Sequence, residues 1–444
     1  SVLNSILNVT NTKKEHQLSR TLAAGRRNAN ARRLRPTSCK RPNIKQNKRK
    51  KYMMRVDEAF GLEPLKAWSN IIRPNDECTQ QSWPCAPRKK KCLAAADNVL
   101  DLPAYSHAPF PELLDWSYNN VIVAALGNKY YKWDFTDQTL ISENLTLQWI
   151  NCCKFDPTGE LIAFGTSRKI VEIHKLRLGK YLERKYCLCN CTYRNCSITA
   201  LDWSPTGKSF VTGCSTGMMT SFNQNGVLIS CGHFEYNAIL TVKISPNTRY
   251  VAVAGVNSSN VFIYMWPQLK LFSSFSCDGN IKTLAWHPWR SALLCVGIVT
   301  SDLCTQLALY DAPPGKLTEI ICHRQHILDT MLFNNATGEL VLSLWNTENR
   351  VDLRGGSLLL VLRDLETVVD HWGDDGLADL DQIRTMVFSP DGTKLATATA
   401  SEDLMIWNFL PENQKRKNSK FYKPNRFTKI PTYLDQISTG YSVR

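Results

Sequence analysis

The sequence predicts an all-β fold, a seven-bladed β-propeller, and the strongest reason is a turn motif that recurs seven times. In each copy a large apolar residue precedes a short turn, and the last turn reads Ser-Pro-Asp-Gly at residues 389–392. The apolar residues that begin the copies are Trp116, Phe155, Trp203, Ile244, Trp286, Phe333 and Phe388. They lie 39, 48, 41, 42, 47 and 55 positions apart, close to the ~40–45-residue period of a four-stranded propeller blade.

The last copy shows the internal order of one unit. Its turn is followed by an apolar run at residues 394–399, then by an acidic loop, and then by a second run that ends in Trp407-Asn408. Two strands that end in a Trp-Asp-like pair are typical of a WD-repeat blade, and Trp133-Asp134 and Tyr310-Asp311 have the same place in other units. Because a single blade exposes both faces of its sheet, we expect the seven units to form one domain.

Charge divides the chain into three parts. Residues 1–91 contain 22 Lys and Arg against 6 Asp and Glu, residues 411–444 contain 8 against 2, and the chain between them contains 24 against 31. Basic runs such as residues 88–91 have few apolar partners nearby, which indicates solvated extensions. We therefore predict a basic, mostly disordered N-terminal arm over residues 1–98, a propeller over residues 99–410 and a disordered basic C-terminal tail after it.

Charge and composition also limit the partners and the location. Basic arms favour solubility, nuclear import or docking on a larger partner, and nucleic-acid binding is disfavoured because no aromatic residues alternate with the basic ones. Residues 56–65 mix acids with apolar side chains, which predicts either ordering in a partner's groove or loose packing on the propeller.

No stretch approaches the ~18 apolar residues of a membrane span, and no signal peptide is recognised. We predict a protein of the cytoplasm and nucleus, bound to no membrane, with its 16 cysteines reduced.

The sequence contains little that indicates catalysis. It has no glycine-rich phosphate loop, zinc-protease helix or nucleophile elbow, so we expect a non-enzymatic binding scaffold without a cofactor. Cys187, Cys189 and Cys191, with Cys196, are crowded enough to hold zinc, but their spacing lacks the two-to-four-residue gap of a zinc knuckle. Alternate cysteines share one face of a strand, where cysteine commonly serves as a small apolar residue. No metal site is predicted.

Seven passages carry a resemblance to a known family. They are Val-Leu-Asp-Leu-Pro at 99–103, Glu-Leu-Leu-Asp-Trp-Ser at 112–117, residues 121–133, Leu-Ala-Trp-His-Pro-Trp at 284–289, Thr-Ser-Asp at 300–302, residues 388–407, and Val-Arg at 443–444. Together they resemble the Fizzy family, the WD-repeat activators of the anaphase-promoting complex, whose tail is Ile-Arg. The resemblance covers about residues 99–410 and the last two residues.

The chain also departs from the Fizzy pattern. Family members carry a C-box of the form Asp-Arg-Tyr-Ile-Pro-X-Arg, and the nearest stretch here is Arg-Leu-Arg-Pro-Thr-Ser at residues 33–38. The Cys-Arg-Tyr sequence of some members would fall at residues 92–94, which read Cys-Leu-Ala. Such divergence resembles the insect Cortex branch of the family, which acts in female meiosis.

The resemblance implies a monomeric adaptor. The N-terminal arm and the tail, with the side chains of Val443 and Arg444, would bind the anaphase-promoting complex. Arginine would make charge-assisted hydrogen bonds and valine would fill an apolar pocket. The propeller would bind the degrons of substrates such as cyclins and securin-like proteins, and ubiquitin chemistry would belong to other subunits. The alternative is a WD-repeat scaffold of an RNA-binding or nuclear assembly that has no role in degradation.

The resemblance also implies a site for the destruction box, Arg-X-X-Leu. In the family its arginine is held by two acids between the first and last blades. Glu402 matches one of these acids, and the other falls at Ala108. Glu112 is the candidate replacement for the missing charge.

A second implied site would bind the Lys-Glu-Asn degron on the top face of the ring. The matching residues are Thr300, Ser301, Asp302 and a blade-four asparagine, Asn257 or Asn260. The first three are equally compatible with an ordinary loop turn. A family arginine of the last blade appears here as Gln382. Losing a guanidinium that pairs with the degron's glutamate predicts a narrower set of substrates.

Overall fold

The computed structural model describes residues 83–89, 91–93, 96–102, 105, 112–176, 180–189, 196–235, 237–312, 315–323, 326–346, 356–365, 367–373 and 381–410. These residues belong to one compact unit and form seven four-stranded antiparallel sheets. The predicted all-β, seven-bladed propeller is therefore confirmed. In the described ranges no helix has the length and hydrophobicity that crossing a bilayer requires.

The strands, in chain order, are β1 (Ala96–Asp101), β2 (Leu114–Trp116), β3 (Val121–Leu126), β4 (Lys129–Asp134), β5 (Thr139–Leu145), β6 (Ile150–Phe155), β7 (Leu161–Thr166), β8 (Ile170–Lys175), β9 (Lys180–Tyr186), β10 (Ile198–Trp203), β11 (Ser209–Cys214), β12 (Met218–Asn223), β13 (Leu228–His233), β14 (Ile239–Ile244), β15 (Tyr250–Gly255), β16 (Asn260–Met265), β17 (Lys270–Ser276), β18 (Asn280–Trp286), β19 (Leu293–Val299), β20 (Thr305–Asp311), β21 (Lys316–His323), β22 (His326–Phe333), β23 (Leu340–Asn346), β24 (Ser357–Leu362), β25 (Val368–Trp372), β26 (Ile383–Phe388), β27 (Lys394–Thr399) and β28 (Asp403–Asn408). Blades one to six take consecutive groups of four strands from β2 onward, and blade seven has the order β26-β27-β28-β1.

Burial follows the position of a strand within its blade. The inner strands β3 and β10 are buried at every residue, because neighbouring blades cover both faces of the sheet. In the outer strands β5 and β17 the last five residues alternate between exposed and partly buried. This alternation is the two-residue period of a strand with one solvated face.

The recurring sequence motif forms the turn between the first and second strands of a blade. In blade seven, Ser389 Oγ donates to Asp391 at 2.6 Å, and Gly392 has a φ of 69° that a residue with a side chain rarely adopts. The large residue before the turn connects adjacent blades, since Trp203 Nε1 donates to the Lys154 carbonyl of blade two at 3.1 Å. One motif therefore forms both the turn and part of the contact between blades.

The ring closes through a strand from an early part of the chain. β1 pairs with β28 and supplies the outer strand of blade seven. The boundary predicted at residue 99 falls inside this strand, which begins at Ala96. The pairing joins the two ends of the propeller within one sheet.

Residues 83–89 and 91–93, assigned by sequence to the disordered arm, pack on the propeller. The Trp83 side chain is 1% exposed and contacts Phe333 edge-to-face, with ring centroids 5.5 Å apart. Its Nε1 donates to the Gly338 carbonyl at 3.0 Å. This segment is therefore part of the folded domain.

The side chain of Arg88 is buried between two acids of blade six. Its guanidinium lies 2.8 Å from Glu339 Oε2 and 3.1 Å from Asp370 Oδ2, and the three side chains are 1%, 0% and 0% exposed. Nη1 also donates to the Phe409 carbonyl at 2.9 Å, next to β28. The prediction that residues 88–91 are solvated is wrong for Arg88, because its partners come from distant parts of the chain.

We expect Arg88→Ala to lower the free energy of unfolding by about 3–5 kcal/mol, because Glu339 and Asp370 would remain as uncompensated buried charges. Denaturant unfolding of the full chain measures this loss. Arg290→Ala is the matched control: Arg290 pairs with Asp311 at the surface with its side chain 47% exposed, and such pairs contribute only about 0–1 kcal/mol. Equal losses in the two variants would contradict the central role of Arg88.

Candidate peptide-binding face

The turns between the second and third strands lie at one end of the ring, which we name the upper face. In blades one to five and in blade seven, each of these turns contains one residue with a left-handed backbone and a φ between 54° and 81°. The residues are Gly127, Lys169, Gly217, Asn257, Leu303 and Glu402. In blades two, five and seven a threonine hydroxyl donates across the turn, over 2.9 to 3.3 Å, to the carbonyl four residues later. Six of the upper-face turns therefore share a left-handed residue, and three of them also share a threonine hydrogen bond.

Glu402 lies in the turn of blade seven with a φ of 70°. Its carbonyl accepts a hydrogen bond from the Leu102 amide at 2.6 Å, and Thr399 Oγ1 accepts one from the Asp403 amide at 3.2 Å. The turn is thus supported by its own threonine and by the chain that leaves β1. The Glu402 side chain is partly exposed, and its role in degron binding stays a prediction.

Thr300, Ser301 and Asp302 form the corresponding turn of blade five. Thr300 Oγ1 donates to the Cys304 carbonyl at 3.3 Å and accepts from the Cys304 amide at 3.2 Å. This hydroxyl therefore stabilises the turn itself, as the loop-turn interpretation expects. Ser301 and Asp302 are exposed at its tip and stay candidates for peptide contacts.

The other polar candidates have partners within the propeller. Asn260 Nδ2 donates to Glu235 Oε1 at 2.7 Å, whereas Asn257 is the left-handed residue of the blade-four turn. Gln382 Nε2 donates to Asp329 Oδ1 of blade six. The Gln382 amide is therefore already hydrogen-bonded, and its correspondence to the family's arginine stays a prediction.

Glu112 lines a cavity of about 410 Å³ at the centre of the ring, bounded by the first strands of six blades. Its carboxylate lies 2.6 Å from Lys243 Nζ and accepts from Thr241 Oγ1 at 3.3 Å. A degron arginine would therefore compete with Lys243 for this acid. Ala108 lies outside the described residues, and both assignments stay predictions.

In blades one and three, the aspartate directly before the tryptophan of the turn motif connects its blade to the next one. Asp115 lies 2.7 Å from Lys154 Nζ and accepts from the Phe155 amide at 2.7 Å. Asp202 accepts from the Ile244 amide at 2.7 Å, and burial raises the pKa of Asp202 to about 6. Sequence reasoning missed these residues, although the Asp-Trp pairs at residues 115–116 and 202–203 are a signal that could have found them.

Asp329 is a further residue that sequence reasoning missed. Burial raises the pKa of its carboxyl to about 7, and the hydrogen bond from Gln382 and the charges of Lys282 and Arg384 offset only part of that effect. Within the described structure, Asp329 Oδ2 has no hydrogen-bond partner. A carboxyl buried in this way favours the protonated form.

We expect Asp329 to destabilise the fold as the pH rises from about 4 to about 7. Its pKa is about 7 in the folded state against an ordinary 3.8, so the folded state holds more protons in this window and its stability falls as they are lost. Asp329→Asn keeps an acceptor for Gln382 and cannot ionise. The melting-temperature advantage of this variant over the wild type should grow between pH 4 and 7 and then stay constant. A difference that does not change with pH would contradict the assignment.

The structure also brings together four cysteines. Cys187, Cys189 and Cys196 are buried, but Cys187 and Cys189 follow β9 and so do not lie on a strand, which is what their spacing predicts. The three meet Cys214 of β11, a residue that the sequence did not indicate. Cys191 lies outside the described residues. The spacing argument against a metal used one segment only, whereas the cluster combines two.

Comparison with known proteins identifies close relatives. Protein cortex of Heliconius erato is 51% identical over 402 residues, which cover 89% of this chain and 88% of the relative. Protein cortex of Biston betularia is 47% identical, with 89% of this chain and 87% of the relative covered. A family model described as the anaphase-promoting complex subunit 4 WD40 domain matches residues 153–247.

More distant relatives extend the comparison. Protein FIZZY-RELATED 1 of Arabidopsis thaliana is 22% identical, with 79% of this chain and 70% of the relative covered. The solved structure described as "Crystal Structure of Mitotic Checkpoint Complex" contains a chain that is 18% identical, with a TM-score of 0.59 and with 73% of this chain and 95% of that chain covered. That likeness supports the propeller fold alone. On the identity to the Cortex proteins, the chain belongs to the Cortex branch of the Fizzy family of WD-repeat activators of the anaphase-promoting complex.

Proposed function

We propose that this chain is a non-enzymatic activator that recruits substrates to the anaphase-promoting complex. Family membership supports the general activity. One observation supports peptide recruitment in particular: the upper face carries Glu402, Ser301 and Asp302 on turns that are held by hydrogen bonds. A surface ordered in advance loses less conformational entropy when it binds an extended peptide.

In this proposal Glu402 binds the arginine of a destruction box. An arginine and a carboxylate form charge-assisted, often bidentate hydrogen bonds, and the Glu402 side chain is partly exposed. Glu112 is proposed as the second acid. Because Lys243 lies 2.6 Å from Glu112, this acid would be shared between Lys243 and the incoming arginine.

The Lys-Glu-Asn degron is proposed to bind near Ser301 and Asp302, with Gln382 close to its glutamate. The Gln382 amide is neutral and already donates to Asp329, so it offers less to an incoming carboxylate than a guanidinium would. We therefore propose weaker Lys-Glu-Asn binding and a narrower set of substrates.

The ligase is proposed to bind the N-terminal arm and the tail residues Val443 and Arg444; residues 1–82 of the arm and both tail residues lie outside the described residues. Weak contacts at both places would become effective because binding at one raises the local concentration at the other. Cyclins and securin-like proteins are the proposed substrates, recruited by a monomer in the cytoplasm and nucleus. Support for a meiotic role comes from the Cortex branch and from Meiotic fizzy-related protein 1 of Schizosaccharomyces pombe, which is 20% identical.

Glu402→Arg should weaken the binding of a destruction-box peptide by about ten- to a hundredfold, the loss expected for a charged hydrogen bond. It should change the binding of a Lys-Glu-Asn peptide little. Titration of both peptides into the full chain measures the two affinities. The matched control is Glu160→Arg, which reverses an exposed acid in a turn at the opposite end of blade two. An equal loss for both peptides, or none for either, would mean that the arginine site lies elsewhere.

Removing Val443 and Arg444 should greatly reduce the amount of anaphase-promoting complex that co-purifies with the chain. The melting temperature should stay the same, because the described propeller ends at residue 410. Alanine at Tyr441 and Ser442, the two preceding residues, provides the control and should leave the co-purification unchanged. Retention of the complex at wild-type levels by the shortened chain would overturn this part of the proposal.

A further inference from the structure

Four cysteine sulfurs converge between blades two and three. Cys187 and Cys189 follow β9, Cys196 precedes β10, and Cys214 ends β11. All four Sγ atoms lie within 4.8 Å of one another. Four thiolates around a tetrahedral zinc ion, each at about 2.3 Å, have sulfurs about 3.8 Å apart. The sulfurs therefore need to move by only about 1 Å or less to reach that geometry.

The cluster is enclosed by the protein. The four residues are 4%, 6%, 1% and 0% exposed, in the order of the chain. They belong to an apolar cluster that includes Ile198 and Phe210. Zinc sites that stabilise a fold have this character, with four protein ligands and no position open to solvent.

The other buried cysteines in the part of the chain that the structure describes form no such group. Cys295, which is fully buried, lies in an apolar cluster of blades five and six, with its Sγ 3.9 Å from the Met331 sulfur. Cysteine used only as a small apolar residue has no reason to gather with three others at one point. The convergence indicates a common ligand.

Cys214 also departs from the repeat at its position. It is the first residue of the blade-three turn, where blades two, five and seven have Thr166, Thr300 and Thr399. The Thr216 amide donates to Cys214 Sγ at 3.4 Å, and the Thr216 hydroxyl lies 3.1 Å from the same sulfur. Hydrogen bonds of this kind hold and stabilise a sulfur that binds a metal.

A positive charge lies beside the cluster. Lys169 Nζ donates to the Cys189 carbonyl at 2.5 Å, and the Lys169 carbonyl accepts from the Cys187 amide at 2.9 Å. Four thiolates around one Zn²⁺ leave a net charge of −2, and a neighbouring ammonium group offsets part of it.

We propose that Cys187, Cys189, Cys196 and Cys214 bind one structural zinc ion. The four thiols release their protons as the ion binds, because the thiolate is the ligand. The ion joins both ends of the connection between blades two and three to the upper-face turn of blade three. A site with four protein ligands has no room for substrate, so its role is to stabilise this part of the upper face.

The test is the metal content of the full chain, purified without chelators and measured by elemental analysis and native mass spectrometry. We expect one zinc ion per chain, and loss of the ion in Cys196→Ser and in Cys214→Ser. Cys295→Ser and Cys152→Ser are matched controls, since both residues are buried thiols outside the group of four. Both controls should keep one zinc ion per folded chain.

Two further measurements do not depend on the variants. Replacement of zinc by Co²⁺ in the wild-type chain should give the intense thiolate charge-transfer absorption of a tetrahedral four-sulfur site, and removal of the metal should lower the melting temperature. A wild-type chain that contains no zinc and takes up neither ion would overturn the proposal. A mass lower by four hydrogen atoms, as two disulfides would give, would also overturn it.

Discussion

The propeller depends on the closure of its ring, and a buried guanidinium in the segment before the closing strand joins its last two blades. Each blade has faces that only its neighbours cover, so an open ring would expose apolar surface on both sides of the break. Arg88 joins Glu339 and Asp370 of blade six to the backbone that follows β28. Two buried carboxylates carry more negative charge than one guanidinium neutralises. The Cys92 and Leu93 amides stabilise the second carboxylate, because they donate to Asp370 at 2.7 and 3.0 Å. The segment before β1 therefore connects blades six and seven through charged and backbone hydrogen bonds.

The strand that closes the ring also contacts the candidate binding face. The same strand that completes blade seven leads to Leu102, whose amide donates to the Glu402 carbonyl. The turn that carries Glu402 is thus positioned by the blade and by the strand that closes the ring. The closing strand and the Glu402 turn are therefore joined directly by a backbone hydrogen bond.

The ring could be predicted because its signals are local and repeated, whereas most site contacts are not. Turn residues and Trp-Asp-like pairs recur at a blade-length period, and the blade order then places Glu402 and Ser301 on turns of one face. Arg88 could not be predicted, because Glu339 and Asp370 lie 251 and 282 positions away and the basic run around it has the composition of a solvated segment. The contacts of Glu112 with Lys243 and of Gln382 with Asp329 could not be predicted either, because they join residues of different blades.

The departure from the family pattern at residues 92–94 has a physical consequence in this ring. The hydrogen bonds from Cys92 and Leu93 to Asp370 use backbone amides, which are kept whatever the side chains are. The Leu93 side chain is 7% exposed and packs in the core of blades six and seven, near Trp407. An arginine at that position would bury a second charge beside Arg88, whereas leucine adds apolar contact. The chain therefore fixes the segment before its closing strand with backbone donors, one buried cation and an apolar side chain.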